Sequence, residues 1–417
     1  MVFLGFNLVM PFLPFYVESL GVHGVERVAL WSGIILSVSP LLASVLGPLW
    51  GRLADRVGMR IMVQRVLLTI TLHWGLMCFA TSVWHVLGLR ILLGLFSGFG
   101  TMSVALVTHG CPRERIGRAV GTLQATQILS TAVGPFIGGI LAQAIGIRHT
   151  FAATFVLCVG ALCFVLFLYR DTAAEDVASP ARPIVVSPAG PVAEGVRAVL
   201  PVAPAGAPAP PRFREILALP FFLSLLPLLF LVNLVDRSLG LLVPLAVASL
   251  LGRATGIEAV AGMVISAGAF ASAASAYLLG RSAGGLPPLR LLLLTIFAGT
   301  LLIVPMGFCG TLGPFALLRV LLGFAVGGAA TLGYTLAGDV IPNAARASGY
   351  ALLSSAAMLG GALGPLLAGL LTSIDLRVPF LAGGAVYLGL TVHVALLQRR
   401  HGWREAVVAP PLPGGGG

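Results

Sequence analysis

The chain has 417 residues, 58% of them hydrophobic and 9% charged, with a mean hydropathy of +1.02; this excludes a soluble globule and indicates a polytopic membrane protein. All 25 basic residues are arginine, so there is no Walker lysine for an ATP-driven pump and no lysine for Schiff-base chemistry. The formal net charge of +11 falls mostly in alternate loops, a membrane-topology pattern that argues against nucleic acid as a partner.

Apolar runs near 2–20, 29–50, 61–82, 86–108, 119–143, 150–169, 220–250, 258–280, 290–309, 314–338, 347–373 and 378–398 predict twelve membrane-spanning helices, each near the length a bilayer requires. Arg52, Arg56, Arg60, Arg113, Arg115, Arg118, Arg170, Arg212, Arg214, Arg281, Arg346, Arg399, Arg400 and Arg404 fall on one side of that map, against chiefly Arg27, Arg148, Arg253 and Arg377 on the other. The arginine-rich side is expected to be cytoplasmic, with both termini on it and the chain in the inner membrane. Hydrolytic and kinase motifs are absent, the five cysteines show no metal or disulfide spacing, and no cofactor is expected.

The first run carries Asn7 and, near its outer end, Glu18, read as a solvated edge residue. After the second run, Gly51, Arg52, Asp55, Arg56, Gly58 and Arg60 crowd into one loop. Gly51 and Asp55 share a helix face, and Gly58 is placed to end the helix. Asp55 then sits at a helix C-terminus, which disfavours an anion, and Arg346 at the start of the eleventh run is its expected partner in a latch between halves. Arg90 lies inside the fourth run; it either faces the bundle or snorkels to the outer interface. His73 and His393 are read as hydrogen-bonded packing residues.

The fifth run holds Gly121, Gly134, Pro135, Gly138 and Gly139, spaced for close backbone packing around a proline kink. A Pro- and Ala-rich stretch, 170–216, then reads as a cytoplasmic linker between bundles at 1–169 and 217–400, with a tail at 401–417. In the seventh run Asp236 is the one carboxylate deep within a span. Protonation would couple its charge to conformation; a structural ion pair is the competing reading. Its neighbour Arg237 points about 100° away, so the two do not line one face.

The halves repeat. Arg90 and Gly94 recur as Arg319 and Gly323, Gly51–Arg52 as Gly280–Arg281, Arg118 as Arg346, and Gly134–Pro135 as Gly364–Pro365. Arg319, the counterpart of Arg90, is expected to snorkel. In this register Met1 matches Leu231, so the first helix is expected to be short at its cytoplasmic end, with a native start upstream.

The stretch Gly51-x-Leu53-Ala54-Asp55-Arg56-x-Gly58-x-Arg60, together with the opening LVMPFLPFYVESLGV, resembles the major facilitator superfamily, and within it the twelve-helix drug:proton antiporters. The resemblance implies an all-α fold of two pseudo-symmetric six-helix bundles and a secondary transporter, not an enzyme. It further implies proton-coupled efflux of lipophilic small molecules by alternating access. Proton-coupled uptake of an organic solute is the alternative, and a transport-dead scaffold or sensor a third reading. By the same resemblance Arg90 matches the arginine implicated in proton transfer. The fifth-run glycines match the antiporter signature, with Ser130 in place of one glycine. Asn7, Gln124, Gln127, Thr131 and Asn233 lie on helices that border the central cavity, as ligand contacts or interhelical glue. The first-half acid of many relatives is absent, and Gly284 stands where a second loop aspartate would be. Small-molecule substrate, protons and the lipid bilayer are the expected partners, and a monomer the expected unit.

Overall fold

The computed structural model describes residues 1–96, 103, 116–168, 221–252, 256–282, 287–341 and 346–401; the side chains of a few of these, among them Gly51, Asp55, Arg60 and Arg346, are not described. The 170–216 linker and the tail beyond His401 lie outside the described residues.

The described residues form twelve helical crossings. Crossing α1 has two α-helical pieces, Val2–Val9 and Leu13–Ser19, joined by a 3-10 turn at Met10–Phe12 where Pro11 interrupts the ladder. It is followed by α2 (Val25–Val57), α3 (Met59–Met77), α4 (Val83–Phe96), α5 (Ile116–Ile145) and α6 (Ile147–Leu168). The second half has α7 (Phe222–Leu251), α8 (Ile257–Ser282), α9 (Pro288–Met306), α10 in two pieces (Leu312–Val326 and Ala329–Val340), α11 (Arg346–Thr372) and α12 (Val378–His401). Ten of these crossings contain spans long and apolar enough for a bilayer; the shorter apolar helices Ile61–Met77 and Val83–Phe96 complete the set. At the turn after α2, Gly58 takes φ +96°, a conformation that side chains disfavour, and its N–H bonds to Ala54 O.

Each half repeats one packing scheme. In the first, α1 lies on α5, α2 on α4 and α3 on α6; in the second, α7 lies on α11, α8 on α10 and α9 on α12. Large buried side chains fill each core. The Tyr16 ring packs edge-on against Phe151, 4.7 Å between centroids, and its hydroxyl donates to the carbonyls of Met77 (2.9 Å) and Ala80 (3.1 Å). A single phenol thereby ties α1 to the end of α3 at the side opposite the arginine-rich loops.

The halves meet along two seams, α2 against α11 and α5 against α8. Small residues make both. A methyl group on Gly33 would lie 2.5 Å from Pro365 O and 3.1 Å from Gly369 Cα, and one on Gly262 would strike Pro135 O and lie 3.3 Å from Gly139 Cα. A methyl on Gly369 would in turn lie 2.5 Å from Ala29 O, and one on Gly139 2.5 Å from Glu258 O. Gly33 and Gly262 are 229 positions apart, while Pro135 and Pro365, like Gly139 and Gly369, are 230 apart. The sequence repeat is therefore a spatial two-fold. These approaches lie toward the end away from the arginine-rich loops, whereas Gly47 and Gly121, at the other end of the same helices, meet nothing within 4 Å. Among the described residues these close backbone approaches between the halves lie on the side opposite the arginine-rich loops.

Candidate coupling and cavity site

The glycines of α5 divide their work. A methyl on Gly134 would lie 2.5 Å from Asn7 Cβ, and one on Gly138 would strike Leu8 O, so both bring α1 into backbone contact. Gly139 faces α8 across the seam, and Gly121 packs on nothing described. Ser130 is buried and back-bonds to Thr126 O at 2.7 Å. In the second half Gly364 and Gly360 seat α7 on α11 in the same way, against the backbones of Leu234 and Phe230.

Of the polar residues expected at the cavity, three are tied to their own helices. Asn7 Nδ2 donates to Phe3 O (2.8 Å) and Asn233 Nδ2 to Leu229 O (2.9 Å), so each amide is anchored one turn back on its own helix. Thr131 does likewise, to Gln127 O (3.0 Å), while Gln124 and Gln127 are half-buried. Arg52 and Arg56 are exposed at the arginine-rich end. The proposed latch between Asp55 and Arg346 involves side chains outside the described set.

Arg90 does not snorkel. It is 3% exposed, its Nη2 lies 2.8 Å from Met10 Sδ, and its guanidinium stands 6.0 Å from the Trp74 ring. Ser39 Oγ donates to the Arg90 carbonyl at 2.6 Å, pinning α2 to α4 at this level. His73 lies beside it, also 3% exposed, with Nδ1 3.2 Å from Leu89 O and Nε2 buried without a partner. The histidine is a packing residue, as the sequence suggests.

Arg319 overturns its expectation. Snorkelling requires an open path to the interface, but Arg319 is 7% exposed and turned into the bundle. Its guanidinium fits a notch in α8: a methyl on Gly268 would lie 2.8 Å from Cζ and Nη1 and 3.1 Å from Nε. Asp236 and the buried Tyr387 are both within electrostatic reach.

Asp236 itself is exposed, with the buried Arg319 within electrostatic reach. Arg237, also exposed, runs its stem over Gly361 of α11, 3.2 Å from where a methyl would stand. The two neighbours therefore diverge as the helix geometry demands. Sequence reasoning found Asp236 but not Tyr387 or Gly268. Neither residue type signals function by itself, and both are distant in the chain.

Two parallel six-helix repeats, laterally sealed by small residues and enclosing a few ionisable groups amid apolar walls, make up the architecture of a secondary transporter. The family model "Major Facilitator Superfamily" matches residues 1–313 and 248–412, and the chain belongs to that family. It is 32% identical over 404 residues to the multidrug resistance protein MdtG of Enterobacter lignolyticus (strain SCF1), covering 95% of this chain and 89% of that protein. It is also 29% identical to the multi-drug resistance efflux pump PmrA homolog of Lactococcus lactis subsp. lactis (strain IL1403), covering 87% and 83%. In fold it matches the crystal structure of a bacterial homologue of the human lysosomal transporter Spinster, in an inward-facing and occupied conformation, with TM-score 0.71, 15% identity and coverage of 95% and 94%. The protein is a multi-pass membrane transporter, not an enzyme.

Proposed function

We propose that this chain exports lipophilic small molecules across the inner membrane in exchange for protons, by alternating access, as a monomer with its arginine-rich face and both termini in the cytoplasm. The export direction and substrate class follow from likeness to MdtG and the PmrA homolog, with the spaced α5 glycines in support. On this topology the close seams between the halves lie on the outer side.

One observation carries the proton coupling. Asp236 is the one described carboxylate in the middle of a span; Glu18, Glu26, Glu258 and Asp375 stand at helix ends or in turns. An acid open to the cavity exchanges protons with water, and its charge changes what the apolar cavity tolerates. Amides such as Asn7 and Asn233 orient ligands within otherwise apolar walls. Inverted vesicles carrying the full chain test the reading. Under an imposed pH gradient they should accumulate ethidium, and Asp236→Asn should abolish accumulation while the protein remains folded in the membrane. Undiminished accumulation in that variant removes Asp236 as carrier. Absence of transport for a panel of lipophilic cations, anions and neutral compounds by the unaltered chain removes the exporter reading.

A further inference from the structure

The two halves share a packing frame but not its chemistry. Arg90 and Arg319, Gly94 and Gly323, and Ser39 and Gly268 are each 229 positions apart. In both halves the glycine of the fourth helix nests on the second-helix backbone: a methyl on Gly94 would lie 2.9 Å from Ser39 Cα, and one on Gly323 would strike Gly268 O. In the first half a serine occupies the notch, the guanidinium turns away to Met10, and Phe6 stands 230 positions before Asp236. In the second half the notch is bare, the guanidinium occupies it, and Asp236 lies within electrostatic reach of it. Packing alone would have preserved the symmetry.

The guanidinium is also poorly satisfied where it lies. Arg319 Nε is buried with no hydrogen-bond partner, and among the described residues no ion pair closes on it. A buried charge left so is costly unless a second arrangement satisfies it. Asp236 offers that arrangement when ionised. Its attraction then draws the guanidinium toward α7; once a proton from cavity water binds the carboxylate, the guanidinium is left to the notch on α8. Other ionisable groups on the surrounding helices are engaged or distant. Tyr350 donates to Tyr334 O and Arg237 turns onto α11, Glu258 and Arg281 sit at opposite ends of α8, and His393 lies six positions beyond Tyr387. Helix α8 is unbroken from Ile257 to Ser282, and Gly262, which seals it against Pro135 of α5, is six residues from Gly268, about 9 Å along the axis.

We propose that Arg319, seated in the Gly268 notch and flanked by Tyr387, is the positioning residue through which the charge on Asp236 acts on α8 and so on the α5–α8 seam. The inference rests on Asp236 being the proton carrier, and the test separates the two. Proteoliposomes with the full chain are assayed for ethidium accumulation under a pH gradient and for gradient-free ethidium exchange; ethidium binding is measured in detergent. Arg319→Gln should lower gradient-driven accumulation on the order of tenfold, within the range of intersite coupling, while exchange and binding change less than about twofold. Arg319→Lys should restore coupling in part. Gly268→Ser, which copies Ser39, should uncouple with the charge intact and guards against a folding defect of the glutamine variant. If Asp236→Asn retains gradient-driven accumulation, the carrier reading and this inference both fall. If that variant loses it but Arg319→Gln and Gly268→Ser keep wild-type coupling, only this inference falls.

Discussion

Replacing Gly33 by alanine adds one methyl group where α2 crosses α11. That methyl would lie 2.5 Å from Pro365 O, 3.1 Å from Gly369 Cα and 3.3 Å from Pro365 C, all of them backbone atoms. No side chain can rotate aside, so the helices themselves must part. Overpacking of this kind costs about 1–3 kcal/mol. In alternating access the penalty applies to the state described here and vanishes once α2 and α11 separate at that end. The equilibrium should therefore move toward the state open on that side by a factor of about 5 to 150. Ser19 and Ser249 are exposed counterparts near the ends of α1 and α7 on the sealed side. Spin labels at these two positions, on a chain freed of its native cysteines, report the opening as a longer inter-label distance. Gly262→Ala, at the pseudo-symmetric seam, should act in the same direction, and the double variant should exceed either. A distance distribution unchanged in all three variants, with the protein folded, would refute the assignment of the two seams as the gate.

Two further outcomes follow from the same geometry. Tyr16→Phe removes the hydroxyl's hydrogen bonds to Met77 O and Ala80 O, leaving them to the Ala80 N–H and Arg148 Nη2 respectively, and should lower stability by about 0.5–1.5 kcal/mol, read as a reduced thermal midpoint in detergent. Asp55→Asn should weaken the proposed latch, reduce transport and shift the same label pair toward the closed distance; if transport and distance both stay as in the parent chain, the latch does not exist.

Much of the fold was legible before any coordinates. Bilayer thickness and the cost of bare backbone in lipid leave few choices for twelve apolar runs, and the repeat of Arg90 and Gly94 as Arg319 and Gly323 already implied two equivalent bundles. The α5 glycines were equally visible, because only a missing side chain permits such close crossings. Their partners were not. Spacing cannot say that Gly134 and Gly138 serve α1 while Gly139 serves the opposite half.

The sequence by itself therefore determined the membrane class, the duplicated scaffold, the placing of an acid at Asp236 and the lack of an equivalent acid in the first half. The tertiary structure alone decided what surrounds that acid. Arg319 and Tyr387 stand 83 and 151 positions downstream of Asp236, on helices whose local sequence is plain apolar. Read along its own helix, Arg319 has every reason to reach for the interface. It stays inside because Gly268, on a different helix, leaves the space and a carboxylate on a third supplies the field, and neither can be read from the neighbourhood of Arg319 in the chain.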